Sequence, residues 1–120
     1  MSQQIVAAKA LMTAWSTKDE ALMREHLHEN FYFKGPLMEM HSVDECVASM
    51  VDCPFSSHIE NSEHIEQGNT VVNIFQWIVT EPFSATVPAV EVLQFEDNKV
   101  KHSRLFFDTA LFPEGSADSM

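Results

Sequence analysis

The stretch VEVLQFEDNKVKHSRLFFD, residues 90 to 108, sets Glu91, Arg104 and Asp108 among residues suited to a core. Its period of two on either side of EDN reads as two strands folded about a tight turn. Burying a bare charge among apolar neighbours costs roughly several kcal/mol, so these three residues either face solvent or line a cavity. Two carboxyls in one apolar cavity cannot both stay ionised cheaply. At least one pKa should rise, which provides an acid and a base near neutral pH, and a guanidinium could hold the other carboxyl ionised. The chemistry in view is proton transfer by Asp108, helped by Glu91 or Arg104.

Alternation sets Glu91 on one face with Leu93 and Phe95. On a concave face it would be a carboxyl in an apolar pocket, able to donate a proton. On the outer face it would pair with a cross-strand Lys or Arg. Arg104 and Asp108 share one parity with His102 and Phe106, while Lys101, Ser103, Leu105 and Phe107 form the other. Both sets are mixed, so the pattern leaves open which points inward, and an Arg–Asp pair closing the strand end is the structural alternative.

Ligand contacts are expected from Tyr32 and Phe33 in NFYFKGP, from Trp77 in IFQWIV and from His58. Tyr and Trp carry a polar tip on an apolar body, though such residues also serve as plain core. His58 and His64 share a parity but stand about 20 Å apart along one strand, too far to hold one metal. His26 and His28 are read on a helix, pointing in different directions. The sequence shows no metal site, no Cys/His or Ser/His nucleophile pattern and no phosphate-cradling glycine loop, and it implies no cofactor.

The elements that must position these residues begin with Ile5, Ala8, Leu11, Met12 and Trp15 at helical spacing. TKDE then reads as a capping box with Thr17 as the cap, opening a second helix that buries Leu22, Met23, His26 and Leu27. NFYFKGP is one short strand stopped by Gly35-Pro36. SVDE opens a third helix at Ser42, its inner face Val43, Cys46, Val47, Met50 and Val51, ended by Pro54. Strands are expected at 57–66, 70–80, 83–95 and 99–108, with a turn at Gly68-Asn69 and with Pro88 at a bulge or an edge. Three helices followed by an antiparallel meander make an α+β protein with the helices on one face of the sheet. A long sheet bent over helices leaves a conical space open at one end.

A chain of 120 residues is read as one domain over 1–112 with a disordered tail at 113–120. The net charge of −11 has the wrong sign for a phosphate backbone or an anionic membrane. MSQQIVAAKALMTAW has no basic leader and is interrupted by Lys9, so neither a signal peptide nor a span is read there and a cytoplasmic protein is expected. Cys46 and Cys53, about 10 Å apart along a helix axis, are read as reduced thiols. Apolar residues of both parities in VVNIFQWIV and VEVLQF lead us to expect a homodimer through the outer sheet face.

The order of elements, with NFYFKGP, VPAVEVLQFEDNKV and RLFFDTALF, resembles the nuclear transport factor 2 superfamily over about residues 4 to 112. Within it the SnoaL-like branch, which contains polyketide cyclases, is the nearest likeness. The resemblance implies a cystatin-like α+β roll: a cone-shaped curved sheet, antiparallel or mixed, wrapped around three N-terminal helices. Compared with ketosteroid isomerase, Leu11 stands at the tyrosine donor's place and Gly35 at that of the aspartate base. Glu91 stands where that enzyme keeps a protonated aspartic acid. Asp108 resembles the acid or base near the end of the last strand in polyketide cyclases and limonene epoxide hydrolase. The Arg and Asp two residues apart that the epoxide hydrolase also uses have no counterpart.

The resemblance is shared by enzymes, binding modules and transport adaptors. Two functions follow: a cofactor-free acid/base enzyme of cyclase, isomerase or hydrolase type acting on a small apolar or aromatic molecule, and a non-catalytic dimeric module that binds a ligand or a protein. Two ionisable groups within reach of one point would favour the first, and a pocket filled by Phe, Met and Trp the second.

Overall fold

The computed structural model describes residues 2–112, so the tail expected at 113–120 lies outside the described residues. Helix α1 (Gln3–Thr17) starts where the Ser2 side chain accepts the Ile5 N–H at 3.1 Å. It ends at Lys18, whose φ of 55° turns the chain back. Helix α2 (Glu20–His26) is capped by Asp19, which accepts from Leu22 N, and not by Thr17. The Thr17 hydroxyl instead donates to Thr13 O, because α1 runs two residues further than its apolar pattern. In α3 (Val43–Asp52) the Ser42 cap accepts from Glu45 N, and Glu45 reaches back to His41 N. Cys46, Val47 and Met50 are buried on its inner face, while Val51 is half exposed.

The strands are β1 (Leu27–Lys34), β2 (Glu39–Met40), β3 (Ser56–Gln67), β4 (Thr70–Glu81), β5 (Ala85–Glu96) and β6 (Lys99–Phe107), followed by a 3-10 turn, η1 (Thr109–Leu111). They form one sheet in the order β2-β1-β6-β5-β4-β3. The four long strands are the expected meander. β1 then pairs parallel to β6, which makes the sheet mixed. Pro88 sits where β5 has outrun β6, whose pairing stops at Ala89↔Phe107. Its missing N–H leaves no gap in that ladder.

Two bulges reset which side chains face the helices. Between Glu60 and Glu63 the β3 register shifts, and Asn61 adopts φ 54°. Between Gln94↔His102 and Phe95↔Val100 the β6 register shifts as well. An extra residue in one strand reverses its alternation from there on. Val100 and Ser103, of opposite parity in sequence, are therefore both buried on the concave face.

The main core lies between α1, α3 and the concave face and includes Ala8, Leu11, Phe31, Val47, Met50, Val71 and Leu93. A second cluster of Phe55, Val79, Val87 and Phe112 closes the other end.

Candidate functional site

A row of polar side chains crosses the concave face, one from each of the four long strands. His64 (β3) stands opposite Asn73 (β4), and Asn73 opposite Glu91 (β5). Ser103 (β6) reaches Glu91 diagonally, its own partner being Leu93. Ser103 Oγ donates to Glu91 Oε2 at 2.9 Å, and His64 Nδ1 lies 2.7 Å from Asn73 Oδ1. A carbonyl oxygen only accepts, so His64 carries its proton on Nδ1. With Oδ1 so engaged, the Asn73 amide NH2 is turned toward Glu91. It lacks a fully formed hydrogen bond, and His64 Nε2 is likewise buried without a partner.

Glu91 and Ser103 open onto a cavity of about 130 Å³. What surface Glu91 retains is cavity wall. Burial pushes its pKa above the ordinary carboxylate value, while the Ser103 bond and the nearby Asn73 amide pull the other way. The Cys46 thiol beside it is pushed up to about 12, by burial first and by the Glu91 charge second, so it stays neutral and is no nucleophile. Cys46 and Cys53 are both free thiols. The remaining wall is apolar and soft: Met12, Met23, Phe31, Phe33, Phe75 and Trp77 contribute much of it. Met12 and Trp15 stay half-buried because they face this space.

The expected residues divide between the two faces. Glu91, Phe33 and Trp77 line the cavity. Arg104 and Asp108 do not: both are exposed, and they form no ion pair among the described residues. The β6 bulge sends Ser103, Leu105 and Phe107 inward and leaves Arg104 outside. Asp108 caps η1 by accepting from Ala110 N at 2.9 Å. The approach of two carboxyls to one cavity is thus not formed. Tyr32 also lies on the outer face, between the tilted rings of His41 and His102 and donating to Glu39. That bond raises the phenol's pKa and lowers the carboxyl's. His58 is exposed and meets Glu60 at 2.7 Å on the rim of a vestibule outside the cavity.

Sequence reasoning passed over Asn73, His64 and Ser103. A buried Asn inside VVNIF was the available signal, since such a side chain requires partners on its own face. His28 is also not on a helix: it is the second residue of β1, where its Nε2 faces Glu96 at 2.8 Å near Asp97. Its Nδ1 accepts from Asn30 N, which leaves the proton on Nε2. That tautomer offers a cation no lone pair, so the chemistry of the cluster opposes metal binding.

A curved mixed sheet closed over three helices, with a cavity between them, defines an α+β protein of the nuclear transport factor 2-like kind. The model of the SnoaL-like domain matches residues 8–103, and the chain belongs to that family. An NTF2-like protein of unknown function from Burkholderia pseudomallei has the same fold, with a TM-score of 0.81 at 24% identity over 92% of this chain and 94% of that one. TerC, co-crystallised with polyporic acid, gives 0.79 at 20% identity over 91% and 94%. An LEH-like epoxide hydrolase from M. tuberculosis gives 0.77 at 14% identity over 98% and 91%. At these identities the likeness is one of fold, a fold whose members include cyclases, isomerases and epoxide hydrolases. No curated protein matches the chain in sequence. Among the described residues no helix is long and apolar enough to cross a membrane.

Proposed function

We propose that this protein is a small, cofactor-free acid/base enzyme of cyclase, isomerase or hydrolase type, which holds an apolar molecule in the cavity and uses Glu91 to move a proton. The observation that carries this reading is a carboxyl with a raised pKa on the wall of an apolar cavity, hydrogen-bonded by Ser103. Protonated, Glu91 donates to an oxygen of the substrate and stabilises charge developing there. Once the proton has moved, the Ser103 hydroxyl and the Asn73 amide stabilise the carboxylate left behind. Soft Met and aromatic walls adapt to the substrate and exclude water, which strengthens each of these interactions. Arg104 and Asp108, both outside the cavity, have no direct part in this scheme.

A second reading, a binding module without catalysis, is favoured by the same wall: among the described residues Glu91 is the only carboxyl lining the cavity, and Phe, Met and Trp contribute much of its surface. The two part on one experiment. A library screen by thermal shift first yields a ligand, and turnover of that compound is then compared in wild type, Glu91→Gln and Asp108→Asn. Loss of about 10²-fold or more in Glu91→Gln alone supports the enzyme. Binding with no turnover by wild type supports the module.

A further inference from the structure

The cavity opens onto a vestibule, and five residues belong to both: Trp15, Ser16, Lys18, Phe55 and Ser57. Acids outnumber Lys plus Arg by eighteen to seven in this chain, yet among the described residues no acid lines the vestibule. Glu60 meets the vestibule's His58 at 2.7 Å. The hydroxyls of Thr17 and Thr80 already donate to the backbone, to Thr13 O and Ser56 O. Those of Ser16, Ser56 and Ser57 make no hydrogen bond among the described residues and are available to a ligand.

Among the described residues Lys18 is the one cation on the cavity wall. Its backbone sits in the left-handed region at φ 55°, ψ 45°, where α1 turns into α2. From there Nζ spans to the end of α3 and donates to Cys53 O at 2.5 Å. Among the described residues no carboxylate pairs with it. An ammonium has three donors, so two remain after Cys53. At the deep end Glu91 is a carboxyl and Cys46 a neutral thiol, and an anionic group placed there would meet a like charge or none.

We infer that the cavity takes an elongated apolar carboxylate, whose charged head stays in the vestibule against Lys18 and the free serine hydroxyls while its apolar body extends inward toward Glu91. This rests on the reading of the cavity as a ligand site. It adds a direction: the reacting end enters first and the anion stays at the mouth. Neutral molecules of equal shape bind less tightly.

The test uses two probes of one shape, 2-naphthoate and its neutral methyl ester, titrated into the full chain at low salt and followed by amide NMR. Wild type should bind the acid about two- to fivefold more tightly than the ester, the worth of one partly exposed ion pair. Lys18→Met keeps the alkyl stem and should abolish that preference by weakening the acid alone, whereas Lys18→Arg should retain it. Added salt should narrow the gap. An ester bound as tightly as the acid, or a preference unchanged in Lys18→Met, overturns charge selection and leaves the cavity reading standing. Failure of both probes to bind at millimolar concentration overturns the two together.

Discussion

Ser103 donates its hydroxyl to Glu91 at 2.9 Å from the neighbouring strand, and burial still outweighs the bond, leaving the carboxyl's pKa above its ordinary value of 4.5. The folded chain therefore holds this proton more tightly than the unfolded chain. Stability from Glu91 is complete below pH 4.5 and is lost as pH rises through the raised value, about 1.4 kcal/mol for each tenfold change in proton affinity. Glu91→Gln, neutral at every pH, should lack this loss. Urea melts from pH 4 to pH 8 should show wild type falling relative to the variant, and a constant difference would refute the assignment.

Asn73 spaces His64 from Glu91, and leucine at that position has no group for either. Asn73→Leu strands the His64 Nδ1–H and removes the amide that pulls the Glu91 pKa down. We expect a loss of about 1–3 kcal/mol and a further rise of the Glu91 pKa, read from its carboxyl carbon by NMR. A lower pKa in the variant would contradict the orientation given to the amide.

Cys46 should be silent toward thiol reagents at pH 8 in the native protein. Its thiol is buried and its pKa is near 12, so reaction waits for the chain to open. Cys53 is only half-buried and should react first. Rapid labelling of both by mass spectrometry would show that α3 does not cover the cavity as described.

The outer sheet face carries a cross-strand row of Ile74, Val90 and Phe106, with Ile74 37% and Phe106 53% exposed. We propose that a second copy covers it, giving a homodimer through the sheet. Light scattering should give twice the chain mass at micromolar concentration, and Phe106→Glu should give the monomer. A monomeric wild type at high micromolar concentration would end the proposal.

Much of the fold could be read locally. Ser42 and Glu45 meet within one helical turn, and Asp97-Asn98, both at positive φ, close a hairpin with their own backbones, so short-range chemistry determines them. Glu91 was legible as a carboxyl among apolar residues, but its inward orientation was not. That depended on which face of β5 the helices cover. Arg104 was harder still. Alternation is a reliable guide only while the register is unbroken, and one extra residue in β3 and another in β6 invert it. The row from His64 to Ser103 joins residues as far as 39 positions apart, which no local pattern connects. It exists because four strands pair in one register under three helices, and the tertiary structure alone decides that pairing.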